Sequence, residues 1–580
     1  MQGFVVFLFH ALSQAWKDGY SFSKFRSDVV AGITVGIVAI PLGMALAIAV
    51  GVPPQHGLYT VIVAGLLAAL LGGSRFNITG PTAAFVVILL PITQQYGLTG
   101  LMLATFMSGI ILVLMGLLRL GQLVAYVPYP VTTGFTAGIG LVIAFLQLKD
   151  LLGLEVAGNP IHFPEKVMAY ASALPSIHFA DAFIGGVTII VFIAWAKLKT
   201  RIPPHVVALV IGTVLALVMN QSGGVHVGLL GEKFQYQIGD LIGQGIPQVM
   251  PQFNVIWQND VVTWSLVIEL LPAAFTIAML GCIESLLCAV VADGMTGTKH
   301  NSNSELVGQG LANMVVPFFG GIPATAAIAR TATNIRAGAF SPVSAIVHAV
   351  FVLAAMVALA PALSYVPMSA LAGLLIMVAW NMSEAPHFVH TLKVAPHRDI
   401  AVLLTCFSLT VVFDMVVAVA VGLLLAGILF IQRIATLTTV TVVNKGHEHL
   451  DFGPDVLVYD INGPLFFAAS EKAFSVIERS SIDTKVVVLD FTDVTTIDIT
   501  AIHAFENALE RISHYPVYLL GVAPHVATKL VNSGILSAGN IALCPDASSL
   551  REHLAINNHN LALQESTPST VSLYTADSGI

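Results

Sequence analysis

Up to about residue 435 the chain is a succession of apolar runs, among them 29–50, 98–118, 183–196 and 415–431, separated by short polar breaks. Several are long enough to cross the ~30 Å hydrocarbon core, which takes about 20 residues as a helix. A soluble protein has no reason to repeat such runs so often. Breaking the region at Gly/Pro clusters and charged loops predicts about fourteen spans: 29–50, 58–72, 78–92, 98–118, 124–148, 181–199, 205–219, 264–292, 305–319, 323–335, 341–361, 365–380, 398–413 and 415–434. The polar connections 149–180 and 220–262 are the widest gaps. After Arg433 the pattern changes. Short β-branched or aromatic runs at 456–461, 486–491 and 517–521 predict strands, and 471–478, 499–512 and 524–532 predict helices. Strands alternating with helices make this a small α/β domain. The expected organisation is a cytoplasmic N-terminal segment at 1–28, a polytopic α-helical membrane domain at 29–434, the α/β domain at 435–555 and a disordered tail at 556–580, rich in Ser and Thr. Residues 1–12 are apolar but short, lack a basic start and run into polar sequence without a small-residue cleavage site, which predicts an interfacial helix rather than a signal peptide.

Composition agrees: apolar residues make up 56% and charged residues 10%, against roughly 25% charged in ordinary soluble domains. The net charge of −8 says little about a substrate. Of the four cysteines, Cys282, Cys288 and Cys406 lie inside spans and Cys544 in the α/β domain, at no metal or disulfide spacing. No metal is expected, and the thiols read as small buried hydrophobes. With the N-terminus inside, the inner loops receive thirteen Lys and Arg, including Lys199, Arg201, Arg336 and Lys393, whereas the outer loops receive only Lys149, Lys166 and Lys233. That bias and the even span count put both termini in the cytoplasm.

An internal repeat marks a site. The third span opens with Gly72-Gly73 and then Gly80-Pro81-Thr82-Ala83-Ala84; the tenth opens with Gly320-Gly321, then Pro323, then Thr325-Ala326-Ala327. Thr82 and Thr325 are 243 residues apart, and the same offset carries Pro41 of span one onto Glu284 of span eight. Copies offset by seven spans have opposite topology. Paired short, broken segments in inverted halves point to a binding site near the bilayer midplane. Two half-helices starting there would aim free N–H groups and positive dipole ends at one point, which suits an anion. The bland alternative is a pair of packing kinks.

Glu284 lies mid-span, too deep to snorkel, so it either holds a cation or takes up a proton coupled to transport; the alternative is a neutral, hydrogen-bonded structural carboxyl. Arg330, about a turn and a half into the tenth span, would add fixed positive charge behind the amides and receive an oxyanion. Its alternative is a structural pair, with Glu284 itself a candidate. Glu269, Asp293, Asp414 and His348 are weaker candidates. The run 293–305 reads as an inner loop, and with no G-x-x-x-x-G-K-[ST] pattern ATP driving is unsupported. Neither a nucleophile–base constellation nor a cofactor motif occurs, so no enzyme, cofactor or nucleic-acid partner is expected. In the α/β domain, Asp498 reads as a helix N-cap and Thr500 as an exposed hydroxyl beside it, where a phosphate would be favourably placed; simple capping is the favoured reading.

The residues 31–47, Gly57-Leu58-Tyr59, the Gly-Pro start of span three and the Glu284 region resemble the sulfate permease (SulP) family of anion transporters, and 455–534 resembles the STAS domain such proteins carry. Within the family, 273–289, 293–310 and 373–385 are most similar to the enterobacterial C4-dicarboxylic acid transporters. The resemblance implies seven plus seven inverted spans with two short half-helices, divided into a core and a gate with an elevator-like motion. It implies a substrate site at Thr82, Ala83 and Ala84 and at Ala326, Ala327, Ile328, Ala329 and Arg330. It also implies a homodimer in a bacterial inner membrane and a cytoplasmic protein partner for the STAS domain. Sodium-using relatives carry Asp at the Glu284 position and a hydroxyl where Cys288 stands; a thiol is a poor sodium ligand, which favours protons. The favoured expectation is therefore proton-coupled uptake of succinate, fumarate and aspartate. One alternative is a transporter of sulfate, bicarbonate or chloride, and another is a membrane-tethered anion sensor signalling through its STAS domain.

Overall fold

Ser21 opens the first long helix by accepting the Lys24 amide hydrogen, so the helix begins at Phe22, seven residues ahead of the first apolar run. In this computed structural model the described residues are 8–122, 127–158, 160, 163–198, 200, 202–222, 226–238, 241–255, 263–413, 415–443, 452, 455–478, 484–537 and 540–555. The tail expected at 556–580, the first seven residues, Lys199, Arg201 and Asp414 lie outside them. The chain divides into two units, Met1–Leu424 and Leu425–Ile580.

In chain order the described helices of eight or more residues in the first unit are α1 (His10–Lys17), α2 (Phe22–Ala49), α3 (Pro54–Leu71), α4 (Ala83–Leu117), α5 (Tyr129–Leu146), α6 (Phe163–Ala173), α7 (Phe179–Lys197), α8 (Pro204–Gln221), α9 (Trp264–Thr296), α10 (Ser302–Val315), α11 (Ile328–Arg336), α12 (Val343–Leu363), α13 (Met368–Ser383), α14 (Ala385–Val394), α15 (His397–Val412) and α16 (Met415–Leu437), the last crossing into the second unit. Strands β1 (Thr79–Gly80) and β4 (Thr325–Ala326) precede α4 and α11, and β2 (Gln235–Ile238) pairs antiparallel with β3 (Leu241–Gln244). Ten of the described helices are long and apolar enough to span a membrane. Gly97, at φ 66° and ψ −169°, divides α4 into two, and the shorter α10, α11 and α15 bring the number to the fourteen read from the sequence.

Several expectations need correction. Of the helix expected at 1–12, residues 1–7 lie outside the described residues; a described helix covers His10–Lys17 and tucks Ala11 and Ala15 against the protein. Asp28, expected in the N-terminal segment, is fully buried within α2 and fastens it to the start of α12. Its carboxylate accepts from the amides of Phe340 (2.6 Å) and Ser341 (3.2 Å) and from the hydroxyls of Ser341 (2.5 Å) and Tyr20 (2.8 Å). The connection 149–180 contains α6, and 220–262 contains the β2–β3 hairpin. The loop after α9 is shorter than expected: Gly297 ends α9 in the left-handed region, and Asn301 caps α10 by accepting from the Ser304 amide.

Helices α2, α3, α4, α9, α10, α11 and α12 pack mainly with one another, and α5, α7, α8, α13 and α15 form a second set. Small residues set the closest crossings. A Cβ on Gly109 of α4 would lie 2.6 Å from the Gly310 carbonyl oxygen of α10, and one on Gly310 would lie 2.7 Å from that of Gly109.

The second unit holds a five-stranded sheet in the order β5 (Thr439–Val442), β6 (Val456–Asn462), β7 (Val486–Asp490), β8 (Val517–Leu520), β9 (Ile541–Cys544), antiparallel between β5 and β6 and parallel elsewhere. Its crossover segments include α17 (Ser470–Phe474), α18 (Ile499–Arg511) and α19 (Pro524–Asn532). The rings of Phe474, Phe491 and Phe505 fill the layer between sheet and helices. Of the five strands, β6, β7 and β8 were legible in the sequence; β5 and β9 are four-residue edges and were not.

Candidate functional site

Each copy of the repeat delivers a two-residue strand, a non-helical link (Pro81-Thr82 in the first, Ala327 in the second) and a helix N-terminus. Strands β1 and β4 pair antiparallel, Thr79 opposite Ala326 and Gly80 opposite Thr325, so the two segments enter one place from opposite directions. The sequence reading began these spans at 78 and 323; the strands delay the helices to Ala83 and Ile328. Thr82 (φ −123°, ψ 156°) and Ala327 (φ −107°, ψ 118°) are the N-cap residues, and neither side chain caps its helix. The first-turn amides of two helices are therefore left to other partners, with about half a positive charge at each end.

The structure brings the expected residues together around this pairing. Ala83, Ala84 and Ala326 are buried small side chains that keep the backbone near the surface of the site. Ala327 is half-buried, and Ile328 and Ala329 are exposed at the start of α11. Arg330 is buried, and its Nη2 donates to the Pro81 carbonyl at the mouth of α4. Its Nη1 is buried without a hydrogen-bond partner. Gly80 makes room for this group, since a Cβ there would lie 2.5 Å from Arg330 Nη1. The structural pair with Glu284 is absent: among the described residues no ion pair joins the two.

Glu284 is half-buried on α9, and its carboxyl accepts the Thr82 hydroxyl at 2.9 Å. The next residue serves the other half-helix: Ser285 Oγ lies 2.8 Å from Thr325 Oγ1 and accepts the Ala326 amide at 3.3 Å. Cys288, one turn on, donates its thiol to Thr331 Oγ1 at 3.1 Å. Three residues within two consecutive turns of α9 thus hold both half-helices. His348 is buried with neither ring nitrogen hydrogen-bonded, whereas Asp293 accepts from the His300 amide at 3.0 Å near the end of α9. Among the described residues no group of acidic, His and Cys side chains is placed to hold a metal.

The sequence reading missed the support behind the site. Glu305, taken as the end of a loop, is 3% exposed on α10. Its carboxylate accepts from the amides of Gly73 (2.9 Å) and Ser74 (2.8 Å) and from Asn77 Nδ2 (2.6 Å), fixing the segment that leads into β1. Gln309 and Asn313 donate to the Ala324 carbonyl at 2.7 and 2.9 Å and hold the segment that leads into β4. Spacing was the available signal: 305, 309 and 313 form one polar stripe that continues past the polar first turn into the apolar part of the helix.

In the second unit Asp498 caps α18, accepting from the Ala501 amide at 2.8 Å and also from the Phe467 amide at 2.9 Å. Thr500 is exposed at the helix start. Capping is thus sufficient to account for Asp498.

The profile of the Sulfate permease family matches residues 25–406, and that of the STAS domain matches 449–543. The chain is 42% identical over 504 residues to a putative sulfate transporter, YvdB, of Bacillus subtilis, covering 86% of this chain and 91% of that one. It is 31% identical over 535 residues to the bicarbonate transporter BicA of a Picosynechococcus, covering 88% and 91%. The solved structure of SLC26A9 superposes with a TM-score of 0.80 over 98% of this chain and 95% of that chain, at 17% identity, a likeness of fold.

Proposed function

Since the chain belongs to the sulfate permease family and is a multi-pass anion transporter with a STAS domain, we propose that it is a secondary transporter of C4-dicarboxylates such as succinate, fumarate and aspartate, coupled to protons. The observation that carries the reading is the β1–β4 pairing, which presents two uncapped helix ends beside an unpartnered guanidinium nitrogen. Two positive ends suit a substrate with two carboxylates better than a monovalent one. The similarity of 273–289, 293–310 and 373–385 to dicarboxylate transporters points the same way. A second reading, sulfate or bicarbonate, is favoured by what the relatives are described as carrying.

In this reading the substrate sits on the amides that follow Thr82 and Ala327, with Ala83, Ala84, Ala326, Ile328 and Ala329 keeping its surroundings small and Arg330 supplying charge from behind. Glu284 carries the coupled proton. An ionised carboxylate about 5 Å from a bound anion repels it by roughly 3 kcal/mol at an effective dielectric near 20. A proton on Glu284 removes that repulsion, so proton and anion bind best together and cross together. The first helix set, which holds the half-helices, moves against the second as an elevator, with both termini in the cytoplasm of a bacterial inner membrane.

Uptake by proteoliposomes of labelled succinate, competed by sulfate, bicarbonate and chloride at two pH values, tests both readings. Succinate uptake stimulated by an inward proton gradient is expected. Robust sulfate or bicarbonate uptake without succinate uptake would replace the dicarboxylate reading by the inorganic one.

A further inference from the structure

A cavity of about 320 Å³ lies away from the half-helix pairing, between the two helix sets, at the small end of the ~300–1,000 Å³ range of ligand pockets. One wall is Val87 and Ile92 of α4 with Thr276 of α9; the other is Val142 of α5 with Thr410 of α15. Lys166 of α6 lines it as well. Thr276 lies eight residues before Glu284 on α9, roughly 12 Å along the helix. Val87 is one turn past the start of α4. The cavity therefore ends just short of the site described above, on the side that carries the 149–180 connection.

Lys166 is the feature of this cavity that packing does not explain. It is 7% exposed, and among the described residues its ammonium has no hydrogen-bond or ion-pair partner. Burial lowers its pKa, and the neighbouring carboxylate of Glu165, itself exposed, works against that lowering. The position is built rather than incidental. Phe163 and Tyr170, on either side of Lys166 along α6, clasp the Phe145 ring of α5 with centroids 5.0 and 5.1 Å apart, and the Tyr170 hydroxyl donates to the Leu146 carbonyl. α6 also packs on α15. A largely buried cation whose neighbouring carboxylate is exposed is better satisfied when an anion enters the cavity beside it.

We propose that Lys166 and this cavity form a second anion site, a station at which a carboxylate or other oxyanion is held before it reaches the half-helices. The hydroxyls of Thr276 and Thr410 donate to the carbonyls of Pro272 and Cys406 in their own helices. That leaves the ammonium as the donor the site offers, so it selects for negative charge rather than for shape. It rests on the chain being an anion transporter, and it adds a property that the central site alone would not give: sidedness.

The full chain reconstituted in proteoliposomes tests it, with labelled succinate and labelled sulfate as probes. Lys166→Gln should raise KM about fivefold for entry from the face of the 149–180 connection, with kcat and the KM from the opposite face unchanged. Lys166→Arg should stay near wild type. Lys166→Cys should behave as Lys166→Gln and recover when methanethiosulfonate-ethylammonium restores the charge. Succinate or sulfate should also slow that thiol's reaction with the reagent. A KM unchanged from both faces, or raised equally from both, would overturn the station. Thiol protection in a protein that carries neither probe would retain the station while removing the transport reading.

Discussion

At the scale of single residues, two side chains divide the chemistry. Glu284→Gln keeps the hydrogen bond from Thr82 but cannot change charge, so uptake should lose its pH dependence; acid stimulation that persists would place the coupled proton elsewhere. Arg330→Ala removes a guanidinium that already spends one nitrogen on the Pro81 carbonyl and has another to spare, and substrate affinity should fall by about tenfold or more with little change in expression. Gly80→Ala is the sharper probe. Its Cβ displaces the end of a flexible side chain rather than backbone, so the protein should fold while Arg330 is pushed from its seat, raising KM about tenfold at unchanged thermal stability. Glu284 and Arg330 were legible because charge inside an apolar run is costly and therefore conspicuous. Ser285 was not, since a hydroxyl in a membrane helix usually satisfies itself on its own carbonyls and attracts no notice.

At the scale of elements, the two half-helices depend on what holds the chain ahead of them. Strands β1 and β4 are two residues long, too short for any alternation to register, so the repeat and its two short helices were legible but not the residues at which those helices begin, nor the pairing that joins the two halves. Their supports come from α10, and Glu305 does the most, satisfying two backbone amides and Asn77. Glu305→Ala leaves the buried amides of Gly73 and Ser74 without that acceptor, each costing about 1–3 kcal/mol, and leaves Asn77 Nδ2 with the Ser285 carbonyl at 3.3 Å alone. A thermal-unfolding assay in detergent should show a marked drop in midpoint, and Glu305→Gln, which keeps one acceptor oxygen, should lose less. Equal stability of both variants with wild type would mean that α10 is held by packing alone. The fragile step is thus ahead of the site, in a segment whose Gly-Gly pair the repeat picks out without disclosing the carboxylate that holds it.

At the scale of the whole molecule, the distribution of charge makes a claim about direction that the packing of helices alone does not. Thirteen of sixteen Lys and Arg assigned to loops fall on one side, which the positive-inside rule makes the cytoplasmic one. The same rule puts α6, and with it the cavity beside Lys166, on the outer face. The chain is well suited to a direct check because its four native cysteines are all buried. An impermeant maleimide therefore reports on introduced thiols. Ser172 on α6 and Lys393 at the end of α14 are both exposed and lie on opposite sides in this assignment. Ser172→Cys should label in intact cells, and Lys393→Cys only after the membrane is opened. The reverse pattern would turn the molecule over, and with it the face from which Lys166 acts, while leaving the paired half-helices and their inverted symmetry as they are.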